Sequence, residues 1–198
     1  MSSGRLILSF LACAILSAAA ETARLPEHPT TVSAKFVQTR HLRELDMDVE
    51  IRGSMISERN GRLRWQVDSP VRSVTVIAAD KLTHFNGETG RTATLVPADL
   101  PWLREMRDGF RDWLDADPAR LKRRFEVRAV APNVLLLKPR TPELTRMCRS
   151  IELTHDVKTG VLNRVFIVES SGDTLEIRFT DVKKDVAVPE QCWRLPSA

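Results

Sequence analysis

The segment 53–70, GSMISERNGRLRWQVDSP, constrains the fold more than any other. Two runs of alternating apolar residues flank Glu58-Arg59-Asn60-Gly61. Asn-Gly between such runs predicts a β-hairpin with a tight type I′ turn, whose two central residues need positive φ. On the second run Leu63, Trp65 and Val67 point one way and Arg62, Arg64 and Gln66 the other. That is the period-two pattern of a strand buried on one side. Pro70 ends the pairing because it has no N–H to give to a ladder. A chain built around such a hairpin either closes on a β core or forms a concave wall for an apolar ligand.

The alternation recurs along the chain. Segments 32–41, 47–57, 73–78, 81–85 and 91–96 read as strands at hairpin spacing with no helical pattern between them. This predicts an antiparallel meander rather than βαβ units. Val49, Ile51, Gly53 and Met55 share one face, and a glycine in mid-strand predicts a bulge or the close approach of another backbone. The period then changes. Asp99 can cap a helix with Pro101 in its first turn,. Leu103, Met106, Phe110, Trp113 and Leu114 follow three-and-four spacing on one side of it,. A core helix packed on a sheet is the default reading of such a stripe. A lid over a concave sheet is the sharper one, since the helix stands alone among strands and carries large, adaptable side chains. Asp117-Pro118 opens a short helical turn through Lys122, and Thr141-Pro142-Glu143 opens another. Strands return at 124–129, 133–138, 150–154, 161–168 and 174–180.

Composition narrows the function. The 198 residues carry 30 Lys+Arg against 26 Asp+Glu, a net charge of +4. The two signs are interleaved, with no basic run broken by aromatics, which argues against nucleic-acid binding. Residues 1–20 read as a secretory signal peptide: Arg5, then an apolar run from Leu6 to Leu16, then Ala18-Ala19-Ala20,. Cleavage before Glu21 discards Cys13 and leaves 21–198 as a single domain,. Export makes Cys148 and Cys192 candidates for a disulfide, with two buried thiols as the alternative,. The bridge would close a loop of about 45 residues and contribute about 4 kcal/mol.

No catalytic constellation emerges. His28, His41, His84 and His155 stand in unrelated contexts, and no GxSxG, HExxH or phosphate-cradling glycine loop is present,. Alternation puts Asp46 and Asp48 together on a solvated face. No Cys/His spacing suggests a metal. The expectation is a protein that is not an enzyme, without cofactor or metal.

On these residues the chain resembles the LolA family of periplasmic outer-membrane lipoprotein carriers. The resemblance rests on Phe36-Val37-Gln38, then Gly53, Arg59, Trp65 and Pro70, in order and in register. It is clearest over 32–86 and continues as a strand order over the last three strands. It implies a mainly β fold, an incomplete, half-open antiparallel β-barrel with a helical lid over an apolar cavity. It also implies acylated lipoprotein or a related lipid as cargo, an inner-membrane exporter and an outer-membrane receptor as partners, and a monomer in the periplasm. On that fold the cavity wall would be Phe36, Ile51, Met55, Leu63, Trp65, Val67, Val74 and Val76, and the lid Leu103, Met106, Phe110 and Trp113. Arg59 matches a family arginine at the rim that closes the lid. The sequence departs from the family at Asn60-Gly61, where the carriers usually have proline, and at Asp80-Lys81, where they have Asp-Gly. Its leader before Phe36 is short and broken by prolines. The expected function is a periplasmic carrier that passes acyl chains toward the outer membrane. The alternative is a lipid- or lipoprotein-sensing regulatory module of the same fold, without handover.

Overall fold

The computed structural model describes residues 30–78, 81–95, 112–113 and 118–196. The proposed signal peptide, the leader, and Leu103, Met106 and Phe110 of the expected lid lie outside them. Among the described residues eleven strands follow in chain order. The first six are β1 (Thr31–Leu42), β2 (Met47–Glu58), β3 (Leu63–Ser69), β4 (Ser73–Ile77), β5 (Leu82–Asn86) and β6 (Arg91–Leu95). Then come β7 (Phe125–Ala131), β8 (Val134–Pro139), β9 (Cys148–His155), β10 (Leu162–Glu169) and β11 (Thr174–Lys184). Among the described residues two short helices interrupt them, α1 (Pro118–Arg124) and α2 (Pro142–Met147), besides the helical pair Asp112-Trp113. Thr141 caps α2 by accepting the Leu144 N–H, and Pro142 occupies its first turn, where a missing N–H costs nothing,.

All eleven strands join one antiparallel sheet in the order β6-β5-β4-β3-β2-β1-β11-β10-β9-β8-β7. The central pairing, β1 with β11, joins the two ends of the chain. The sheet is open, with β6 and β7 at its two edges. Alternation and register together assemble its inner face. Phe36 stands opposite both Gly53 and Phe179. Met55 faces Trp65, Ile167 faces Leu175 and Ile151, and Ile151 faces Leu137. These residues form or pack against one apolar cluster that also takes in Leu121 of α1 and Leu144 of α2. The outer face carries charge. Arg164 of β10 reaches Glu152 of β9 at 2.6 Å and bonds Glu176 of β11. Such half-exposed pairs contribute little to stability.

A second apolar cluster lies on that outer face. Val74, Val76 and Phe85 pack against Trp193, in a short 3-10 turn, Glu190–Trp193, of the C-terminal segment. Arg62 lies 4.2 Å over the Trp193 ring and holds Glu190 through two bonds of 2.9 and 2.7 Å. Arg64 donates to the carbonyls of Cys192 and Arg194, both at 3.0 Å. Arg62, just before β3, and Arg64 within it thus clasp the chain end to the back of the sheet.

Two expectations need correction. Cys148 and Cys192 are free thiols. Cys148 opens β9 among the inner cluster, whereas Cys192 sits in the C-terminal clasp on the outer face, so the sheet separates them. The β2–β3 turn is also not type I′. Glu58 N–H donates to the Arg62 carbonyl at 2.8 Å, closing a three-residue loop, Arg59-Asn60-Gly61, in which only Gly61 has positive φ (92°). Asn60 instead accepts the Arg62 N–H through its side chain at 2.9 Å. This is the three-residue hairpin with glycine in the left-handed position.

Candidate functional site

Gly53 organises the inner face. A Cβ placed there would lie 1.9 Å from the Gln66 carbonyl oxygen and 2.8 Å from Cζ of Phe36. The missing side chain lets β3 come close and lets the Phe36 ring lie across β2. Phe36 then stacks on Trp65, two strands away, with centroids 3.9 Å apart and planes at 23°. This fixes the indole on the inner wall and supplies a contact of about 0.5–1.5 kcal/mol beyond burial.

Trp65 borders a hollow of about 710 Å³, within the roughly 300–1,000 Å³ range of small-molecule sites. Its wall comes from both halves of the sheet: Leu63, Thr75 and Ile77 on one side, Ile151, Ile167, Leu175 and Ile177 on the other. The sheet therefore curls around it. Phe125, Leu144 and Met147 bring the α1 and α2 ends to its border, and Trp113 lines it from a helical segment. Asp112, next to Trp113, stands 3.6 Å from Arg120 and 3.8 Å from Arg124, tying that segment to α1.

Besides Thr75 and Arg124, the polar lining residues are Gln38, Arg40 and Glu169, which mark one end of the hollow. Arg40 pairs with Glu169 at 2.7 Å and with Asp173 at 3.3 Å, and Asp173 also accepts the Arg43 N–H at 3.1 Å. Ser170 donates from its backbone to the Met147 carbonyl and from its side chain to that of Thr145. The β1–β2 turn, the β10–β11 turn and α2 are thus linked into one rim. Burial pushes the Cys148 thiol, also on the lining, up to about 11, with Glu169 adding to the shift. At neutral pH it is an inert, apolar lining group. His155, at the far end of β9, is held below its ordinary value by burial, against hydrogen bonds to the backbone of Asn133 and Trp113.

The sequence-predicted wall and lid divide into four groups. Leu63, Trp65 and Trp113 line the hollow. Phe36, Ile51, Met55 and Val67 share its face but pack into the cluster beneath it. Val74 and Val76 turn away: β4 pairs with β3 so that Thr75 lies opposite Trp65, which sends both valines to the outer face under Trp193. Leu103, Met106 and Phe110 fall outside the described residues. Arg59 is exposed on the β2–β3 turn, where its charge helps hold the Asp185 carboxyl below its usual range, after the hydrogen bonds from Thr30. Sequence alone does not assign Gln38, Arg40, Glu169 and the helix-end residues to the site, because a polar residue on an alternating strand reads as solvated until its register is known.

Among the described residues no group of three or more His, Cys, Asp or Glu could hold a metal, and no helix is long and apolar enough to cross a membrane. Comparison with curated proteins gives no match. Solved structures do match. An uncharacterized conserved protein from Thermus thermophilus has a TM-score of 0.52 at 12% identity, over 85% of this chain and 86% of that one. That likeness speaks to the fold alone. A LolA superfamily protein from Nitrosomonas europaea has a TM-score of 0.45 at 10% identity, over 87% of this chain and 92% of that one. MucB of Pseudomonas aeruginosa, solved with MucA, has a TM-score of 0.38 at 17% identity, over 84% of this chain and 56% of that one. The profile of the family described as outer membrane lipoprotein carrier protein LolA matches residues 27–195. With nearly the whole described chain inside that match, the protein belongs to the LolA family.

Proposed function

We propose that the protein is a non-catalytic periplasmic carrier that takes acyl chains of lipoproteins, or of a related lipid, into the hollow and passes them toward the outer membrane. The observation that carries this reading is the 710 Å³ hollow with its aliphatic and indole wall. A dry apolar cavity of about 150 Å³ holds one benzene, so this one has room for on the order of 25 carbon atoms. Each buried methylene contributes about 0.8 kcal/mol, so a 16-carbon chain gains on the order of 12 kcal/mol before costs. A carrier that kept all of that would not release its cargo. Opening a lid offsets part of it, and we assign the lid to the segment that includes Trp113, with Arg59 on the β2–β3 turn as its closing partner. An inner-membrane exporter and an outer-membrane receptor are the partners this role calls for.

Native mass spectrometry of protein purified from the periplasm, with titration of a fluorescent acyl probe, tests the proposal. The expected result is co-purified acylated species, saturable probe binding, and weaker binding by Trp65→Ala. Protein that is consistently empty and rejects the probe overturns it.

A further inference from the structure

The inward side chains of β1 run Phe36, Gln38, Arg40 toward the rim, at roughly 7 Å per step. Phe36 is covered against Trp65 at the apolar end. Arg40 is held at the rim by Glu169 and Asp173. Gln38 lies between them on the lining of the hollow. Its cross-strand neighbours are Ile51 on β2 and Ile177 on β11, so the carboxamide interrupts an aliphatic wall. Among the described residues no hydrogen bond reaches this side chain, and it is not one of those with contacts elsewhere.

In the open hollow, water can satisfy that amide. An occupant made only of hydrocarbon strips the water and leaves a donor and an acceptor unmade, which costs more than a hydrogen bond returns. An occupant with a carbonyl at that level replaces the water and loses little. We infer that Gln38 is the residue that selects an ester- or amide-linked acyl chain over a plain alkyl chain. Its Nε2–H donates to the carbonyl that joins the chain to its head. The same contact sets the cargo's direction: tail against Trp65, linkage at Gln38, head group beside Arg40 at the rim. This rests on the acyl-carrier reading of the hollow.

The test compares two lipids with the same head and chain length, 1-monopalmitoylglycerol and its ether analogue 1-O-hexadecylglycerol. Each displaces a fluorescent naphthalene probe from the wild type, from Gln38→Met, and from Gln38→Glu. The first variant keeps the side-chain length; the second keeps the shape but has no N–H. Far-UV circular dichroism checks that each is folded. A neutral hydrogen bond corresponds to roughly a five- to tenfold preference. The wild type is expected to bind the ester tighter than the ether by that factor, and both variants to bind the two within twofold. Equal binding by the wild type, or a preference that survives in both variants, overturns the role of Gln38 and leaves the carrier reading standing. If the wild type binds neither glyceride, the carrier reading falls and this inference with it.

Discussion

Adding a single methyl group at Gly53 tests the geometry on which the site is built. The Cβ of Gly53→Ala would sit 1.9 Å from the Gln66 carbonyl oxygen and 2.8 Å from Phe36 Cζ. The two contacts are not equivalent. A ring edge can tilt away, at the expense of the Phe36–Trp65 stack, about 0.5–1.5 kcal/mol. A carbonyl in the β2–β3 ladder cannot move without shifting β3, and overpacking of that kind costs typically about 1–3 kcal/mol. The sum is about 1.5–4.5 kcal/mol. At about 2–4 °C per kcal/mol for a domain of this size, the melting temperature should fall by about 3–18 °C. Thermal denaturation followed by circular dichroism reads it. The Gly53→Ala, Phe36→Leu double variant separates the causes. Relieving the ring should recover little of the loss, because the carbonyl is the nearer obstacle. A melting temperature within a degree of wild type, or full rescue by Phe36→Leu, would refute the close β2–β3 approach and with it the placement of Trp65.

Other expectations follow from the two faces of the sheet. Trp193→Ala should cost about 3–5 kcal/mol by urea denaturation, as for other buried aromatics, while leaving acyl-probe affinity unchanged, since Trp193 packs under the sheet with Val74, Val76 and Phe85; a comparable loss of probe affinity would contradict the separation of the faces. Of the two thiols Cys148 and Cys192, only Cys192 should react with a thiol reagent at pH 8 under native conditions, and both in denaturant, with no mass change on reduction of the native protein. The folded state holds His155 below its ordinary value, so the unfolded chain binds the extra proton first. Stability should therefore be unaffected by His155 above about pH 6.5, the unfolded value, and fall as the pH drops below it toward the folded value. His155→Gln should flatten that part of the pH–stability curve, and an unchanged slope would show that His155 is not the group responsible.

The strands were legible because each has one buried side and so alternates. Turn residues then bounded β1, β2, β9 and β10 to within a few positions of where they lie. Gly53 was legible for the same reason: glycine amid β-formers has few uses besides letting another chain approach. What sequence could not supply was parity between strands. Residues 73–78 offer Val74 and Val76 on one side and Thr75 and Ile77 on the other, and the more apolar side looked like the wall. The register with Trp65 puts Thr75 and Ile77 inward, and the valines are apolar because the C-terminal segment covers them. The cysteine pairing failed on similar grounds, since spacing along the chain says nothing of which face a residue occupies. Gln38 and Arg40 read as polar positions on a strand. Only the curl of the sheet turns them into the polar end of an apolar hollow.

The central claim is that an acyl chain enters the hollow beside Trp65. Variants that keep a single tryptophan, Trp65 or Trp193, can be titrated with a spin-labelled fatty acyl chain that quenches indole fluorescence on contact. The account predicts saturable quenching of Trp65, which lines the hollow, and none of Trp193 behind the sheet. Equal quenching of both, or quenching of neither, contradicts it.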